Sequence, residues 1–161
     1  TQGVSSAASD VYKRQEETFK VAFENDDYKI VIPLENSLAG RVADIHYLLP
    51  KYKLQIHAEH FQKVEHNLLS KNDAEMKDIK FVRSHAQAIG QCQKIITDNK
   101  YKTIISADTA GSAKYVSECG DKSKGAIASM LSSKIYNLDV IQKNIQDETF
   151  CSTRLISQKS V

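Results

Sequence analysis

Four stretches of the chain repeat one arrangement: the apolar residues of a strand, a small polar residue, then the opening of a helical pattern. They are PLENS (33–37), FVRSHAQA (81–88), ISADTAGSA (105–113) and AIASM (126–130). A helix start presents backbone N–H groups without internal partners and the positive end of the macrodipole, so it can hold a carboxylate or phosphate. The side chains of Asn36, Thr109 and Ser112 add amide and hydroxyl groups, and His85 stands at the first expected helical position of the second stretch. The chemistry this suits is recognition of a small anion with more than one charged group, at the carboxyl ends of strands in an open α/β sheet. Each stretch also reads as plain capping. Ser84 with Gln87 matches the S-x-x-Q capping box, and Asp108 and Ser129 suit N-caps.

Other chemistries find less to work with. His57 and His60 are three apart on an extended segment, so their side chains diverge, and His66 supplies no third ligand at metal-site spacing. Cys92, Cys119 and Cys151 are odd in number and widely spaced, which reads as free thiols in a reducing compartment. The chain has no G-x-G-x-x-G, no P-loop lysine and no G-x-S-x-G elbow, which leaves nucleotide cofactors and serine hydrolysis without support.

The elements that must position these residues follow from periodicity. Phe19, Ala22 and Phe23 mark a short amphipathic helix, and YKIVIPL (28–34) a buried strand. Leu38, Val42, Ile45 and Leu49 fall on one face of a helix that Pro50 ends. The stretch 52–70 alternates and is expected as one extended, bent strand. Strands follow at 78–84, 101–107, 125–129 and 138–145, with TRLIS as a last one. Helices separate them, the first keeping Ala88, Cys92, Ile95 and Ile96 inward and the second closed by Gly120. Strands alternating with helices define an α/β fold. The expected division is a first lobe of 16–51 plus 147–161 and a second lobe of 52–146, with residues 1–15 set aside as a non-native or disordered leader.

Composition sets the class. With 161 residues, 41% of them hydrophobic and 26% charged, the chain is ordinary for a globular protein. A net charge of +2 gives no nucleic-acid or membrane surface, and no apolar run nears the roughly 20 residues of a membrane span.

The motifs IPLENSLAGRVADIHYLLP, FVRSHAQAIGQC, ADTAGSAK, GAIAS, YNLDVIQKNIQD and STR, in this order, resemble the catalytic domain of prephenate dehydratase of the alpha-proteobacterial type. The resemblance covers Phe19 to Ile156. It implies two α/β lobes with a cleft between them, similar to type II periplasmic solute-binding proteins. It implies a lyase that converts prephenate, a small dicarboxylate, to phenylpyruvate in phenylalanine biosynthesis. No metal or organic cofactor is implied, the location is cytoplasmic, and the full-length protein is a homodimer or larger.

The family's threonine-arginine-phenylalanine motif falls on Thr153, Arg154 and Leu155. The resemblance makes Thr153 the catalytic residue and Arg154 a substrate-binding residue. Asn36 and Ser37 join it from the first motif, Ser84, His85, Gln87 and Ala88 from the second, and Thr109, Ala110 and Ser112 from the third. Cys151 stands where the family usually has Asn, and Leu155 where it has Phe. The family also has an upstream strand with a Gly-Thr-Phe-Ser loop that 1–15 do not match, and a downstream regulatory domain, so the chain is expected to be shortened at both ends. Two rival readings keep the same fold: arogenate dehydratase, and a non-enzymatic solute-binding module for small anions.

Overall fold

The computed structural model describes residues 15–25, 27–38, 40–41, 43–148 and 152–160, with 43, 44 and 153–160 described as backbone. The expected leader (through residue 14), Val42 of the helical stripe and Cys151 lie outside the described residues. The chain forms two compact units, Thr1–Val64 with Phe150–Val161, and Glu65–Thr149.

In the first unit helix α1 covers residues 15–24. Strands β1 (Ile30–Asn36), β2 (Gly40–Arg41), β3 (Leu54–Lys63) and β9 (Ser152–Ser160) make an antiparallel sheet in the order β2-β1-β9-β3. Helix α2 (Ala43–Lys51) joins α1 on one face. The alternation of β1 sends Ile30, Ile32 and Leu34 inward and leaves Val31 exposed, as a period of two requires. Phe19, Ala22, Ile45, Leu48 and Leu54 complete that core. Phe23 was expected inward with Phe19 but is half exposed. It lies at the margin of the core, its ring edge-on to Tyr52 at 5.9 Å.

Two expectations fail here for physical reasons. The helix read from Leu38 does not start there. Asn36 Oδ1 accepts the Leu38 N–H at 3.0 Å, Gly40 adopts φ +80, and the chain reverses into β2. The helix begins at Ala43, and Pro50 sits within its last turn instead of ending it. The stretch 52–70 is not one strand. β3 pairs with β9 in the first unit, whereas β4 (Asn67–Ser70) belongs to the second. The crossing expected near Lys51 therefore falls after β3.

In the second unit β5 (Phe81–His85), β6 (Lys102–Ser106), β7 (Lys124–Ala128), β4 and β8 (Asp139–Gln142) are ordered β6-β5-β7-β4-β8. β5 runs parallel to both β6 and β7, while β4 is antiparallel to β7 and β8. All of β4 is buried, as expected of a strand covered on both faces. Its neighbours Leu68 and Leu69 enter separate cores. Leu68, Val82 and Ile127 pack under α3 (Ala86–Gly90) and α4 (Gln93–Asp98) with Ala88, Cys92, Ile95 and Ile96. Leu69, Ala126 and Ala128 pack with Ala113 and Val116 of α5 (Thr109–Cys119), and with Leu138 just after α6 (Met130–Tyr136).

The single helix expected after Ser84 is broken at Gln91–Cys92. Asp147, 54 residues away, accepts the Gln93 N–H at 2.8 Å and the Lys94 N–H at 3.1 Å, which gives α4 an N-terminus of its own. Gly120, at φ 66, closes α5 in the left-handed conformation as expected.

Candidate functional site

In the second unit three adjacent parallel strands, β6, β5 and β7, end at one edge of the sheet, and α5, α3 and α6 begin there. Three of the four expected strand-to-helix junctions thus share an edge; PLENS leads instead into the β1–β2 turn. His85 is the last residue of β5 and the N-cap of α3, not its first helical residue, and its Nδ1 accepts the Gln87 N–H at 3.3 Å. Asp108 caps α5 by accepting the Gly111 N–H, and Ser129 caps α6 by accepting the Ser132 N–H at 3.3 Å.

Burial sorts the expected residues of this unit. Ser84 is fully buried within β5 and donates its hydroxyl to Ile127 O at 2.6 Å, so it forms no capping box. Ala88 faces the core, and the buried Ser112 hydroxyl meets Ser106 Oγ and donates to Asp108 O at 2.8 Å. Gln87 and Ala110 are exposed, and His85 and Thr109 are partly exposed, so these present groups outward at the strand ends. Among the described residues no three His, Cys, Asp or Glu side chains converge as metal ligands.

In the first unit the ladder brings distant residues into rows. Gly40, Asn36, Thr153 and Gln62 are successive backbone partners across β2, β1, β9 and β3. The next row is Arg41, Glu35, Arg154 and Phe61. Ser37 fixes the end of this ladder, its N–H donating to Ser152 O and its Oγ accepting the Ser152 N–H, both at 3.0 Å. A cavity of about 360 Å³ opens here, lined by Glu35, Asn36, Ser37, Gly40, Arg41, Phe61 and Ser152. A larger depression of about 750 Å³ by Leu49, Pro50, Lys53, Leu54, Gln55 and Ile56 offers one charged side chain and no acid–base pair, so the smaller cavity is the candidate. Arg41 and Phe61 escaped the sequence reading because 38–49 read as helix and 52–70 as second-lobe strand. The Gly40 reversal is the signal that finds Arg41.

The architecture, two α/β units with the chain crossing out and back, is that of the type II periplasmic-binding-protein-like class. A transporter substrate-binding domain from Clostridium difficile shares the fold at a TM-score of 0.52 and 12% identity, over 92% of this chain and 69% of that one. The sequence profile of the prephenate dehydratase family matches residues 4–159, and the chain belongs to that family. That match begins within the stretch set aside as a leader.

Its relatives include the bifunctional N-acyl-homoserine lactone acylase/prephenate dehydratase of Komagataeibacter europaeus. That protein is 41% identical over 77% of this chain and 44% of its own length. Arogenate dehydratase 2 of Petunia hybrida is 36% identical over 94% of this chain and 40% of its own. The prephenate dehydratase structure from Staphylococcus aureus superposes with a TM-score of 0.78 at 25% identity, over 89% of this chain and 53% of that one. The chain thus spans less than half the length of these two curated relatives.

Proposed function

We propose that this chain carries the prephenate dehydratase reaction, the decarboxylating dehydration of prephenate to phenylpyruvate in phenylalanine biosynthesis. The observation that carries the reading is the β1–β9 register, which sets the motif residue Thr153 beside Asn36 and Arg154 beside Glu35, within family-matched sequence. Loss of carbon dioxide from the ring leaves its bonding pair to form a ring double bond, and the ring hydroxyl departs from the opposite carbon. Hydroxide leaves badly, so a donor must bond to the oxygen as the C–O bond breaks.

Thr153 is that donor. An alcohol is too weak an acid to give up its proton fully. Its role is therefore a hydrogen bond aimed at developing charge, an effect typically worth about 10²–10³-fold. Arg154 offers a bidentate fork that holds the departing carboxylate out of the ring plane. In the second unit His85, Gln87, Thr109 and Ala110 are proposed as anion-binding groups at the strand ends. The groups of Ser84, Ala88 and Ser112 are committed to the fold, so they contribute by shaping the backbone at those strand ends. Aromaticity of the product drives the reaction.

The protein acts in the cytoplasm on a small dicarboxylate, without a metal or organic cofactor, as a homodimer or larger assembly in its full length. Among the described residues no helix is long and apolar enough to cross a membrane. A second substrate, arogenate, is favoured by the relative from Petunia hybrida. The test is phenylpyruvate formation from prephenate, followed by absorbance, beside phenylalanine formation from arogenate. Binding of either compound without turnover would leave only the solute-binding reading.

A further inference from the structure

We infer that Arg41 and Phe61 are substrate-recognition residues. Arg41 takes the side-chain carboxylate that survives into the product, and Phe61 packs on the six-membered ring. This rests on the reaction proposed above. Directly paired residues of an antiparallel ladder present their side chains on the same face, and Arg41, Glu35 and Phe61 occupy one row and line one cavity. Arg41 has no ion-pair partner among the described residues, whereas Glu35 is already engaged. Phe61 leaves 64% of its surface exposed at the rim of that cavity, so its ring is open to a ligand there. Added volume is available too, since a Cβ built on Gly40 meets nothing within 4 Å.

The spacing suits a dicarboxylate. Arg41 and Arg154 are two strands apart in the row, so their backbones lie about 10 Å from each other, a separation that leaves room for one small molecule with two carboxylates. Arg154 then holds the carboxylate that is lost and Arg41 the one that is kept. Phe61, on the strand beyond Arg154, packs on the ring, whose one carbon carries both carboxylate arms.

Titration calorimetry of this chain with prephenate and with phenylpyruvate separates the two arginines, because phenylpyruvate keeps only the side-chain carboxylate. Arg41→Gln is expected to weaken both ligands by about 10–100-fold, the scale of a lost charge-assisted bond. Arg154→Lys should weaken prephenate alone. Phe61→Leu should weaken both by about 3–10-fold while leaving the circular dichroism unchanged. Unchanged phenylpyruvate affinity in a folded Arg41→Gln chain overturns the inference, and so does an unsubstituted chain that does not bind phenylpyruvate. Phenylpyruvate binding that depends on Arg41, with no turnover of prephenate, would instead overturn the reaction and leave the recognition site standing.

Discussion

Asn36, the last residue of β1, and Thr153, the second residue of β9, are direct backbone partners across an antiparallel ladder. A residue near the start of the chain and one near its end are thereby fixed opposite each other by main-chain hydrogen bonds. The same register sets Glu35 against Arg154.

If Thr153 stabilises the leaving hydroxyl, Thr153→Ala lowers turnover by at least about 10²-fold and leaves substrate affinity nearly unchanged. Single-turnover rates at saturating prephenate measure this. Thr153→Ser keeps the hydroxyl and should retain most of the rate. Equal rates in wild type and the alanine variant would take Thr153 out of the mechanism.

Arg154→Lys replaces a planar fork by a point charge. Prephenate binding should weaken by about 10-fold, the scale of one charge-assisted hydrogen bond. Equilibrium titration is the check, and an unaltered dissociation constant would argue for a purely structural arginine.

Asp147→Ala removes the remote cap from α4. The Gln93 and Lys94 N–H groups lose their carboxylate partner, and stability should fall by about 1 kcal/mol. Urea denaturation measures it, and Asp147→Asn should recover part of the loss. No change in the midpoint would mean that water replaces the carboxylate at no cost.

Burial, with a smaller contribution from the negative charge of Asp147, pushes the Cys92 thiol up to about 12 from a reference of 9.0. The folded state therefore holds this proton more tightly than the unfolded state. The resulting stability is fully present below pH 9 and is lost as pH rises towards 12, by about 1.4 kcal/mol per pH unit. Denaturation at pH 8, 9, 10 and 11, compared with Cys92→Ala, isolates the effect. The wild-type midpoint should fall more steeply than that of the variant, and parallel curves would contradict the buried thiol. A disulfide-exchange reagent at pH 8 should also reach Cys119, which is partly exposed, well before Cys92.

Much of the second unit was legible because its signals are local. Ala88, Cys92, Ile95 and Ile96 keep a helical spacing and all are buried, and Asp108, Ser129 and Gly120 cap the helices they adjoin. The failures come from interactions between distant residues. The break between α3 and α4 is imposed by Asp147, far along the chain. β3 reads like the start of β4 until its pairing with β9 is known. At PLENS the spacing of Leu38, Ile45 and Leu49 imitates a helix face, yet Leu38 is exposed because the Asn36 turn and Gly40 reverse the chain first. The candidate site was legible as motifs. Its cavity was not, since Arg41 and Phe61 meet only through the ladder.

The position of β9 also governs the order of assembly during synthesis. β9 lies between β1 and β3, yet it leaves the ribosome after both and after the whole of Glu65–Thr149. The second unit is continuous in sequence and can fold while the ribosome is still at work. The sheet of the first unit cannot close until its inner strand has been made. Until then β1 and β3 carry open edges, with Ile56 and Phe61 exposed on β3. Nascent chains stalled before residue 152 should therefore be protease-resistant in the second unit and cut in the first, and they are the species most in need of a chaperone.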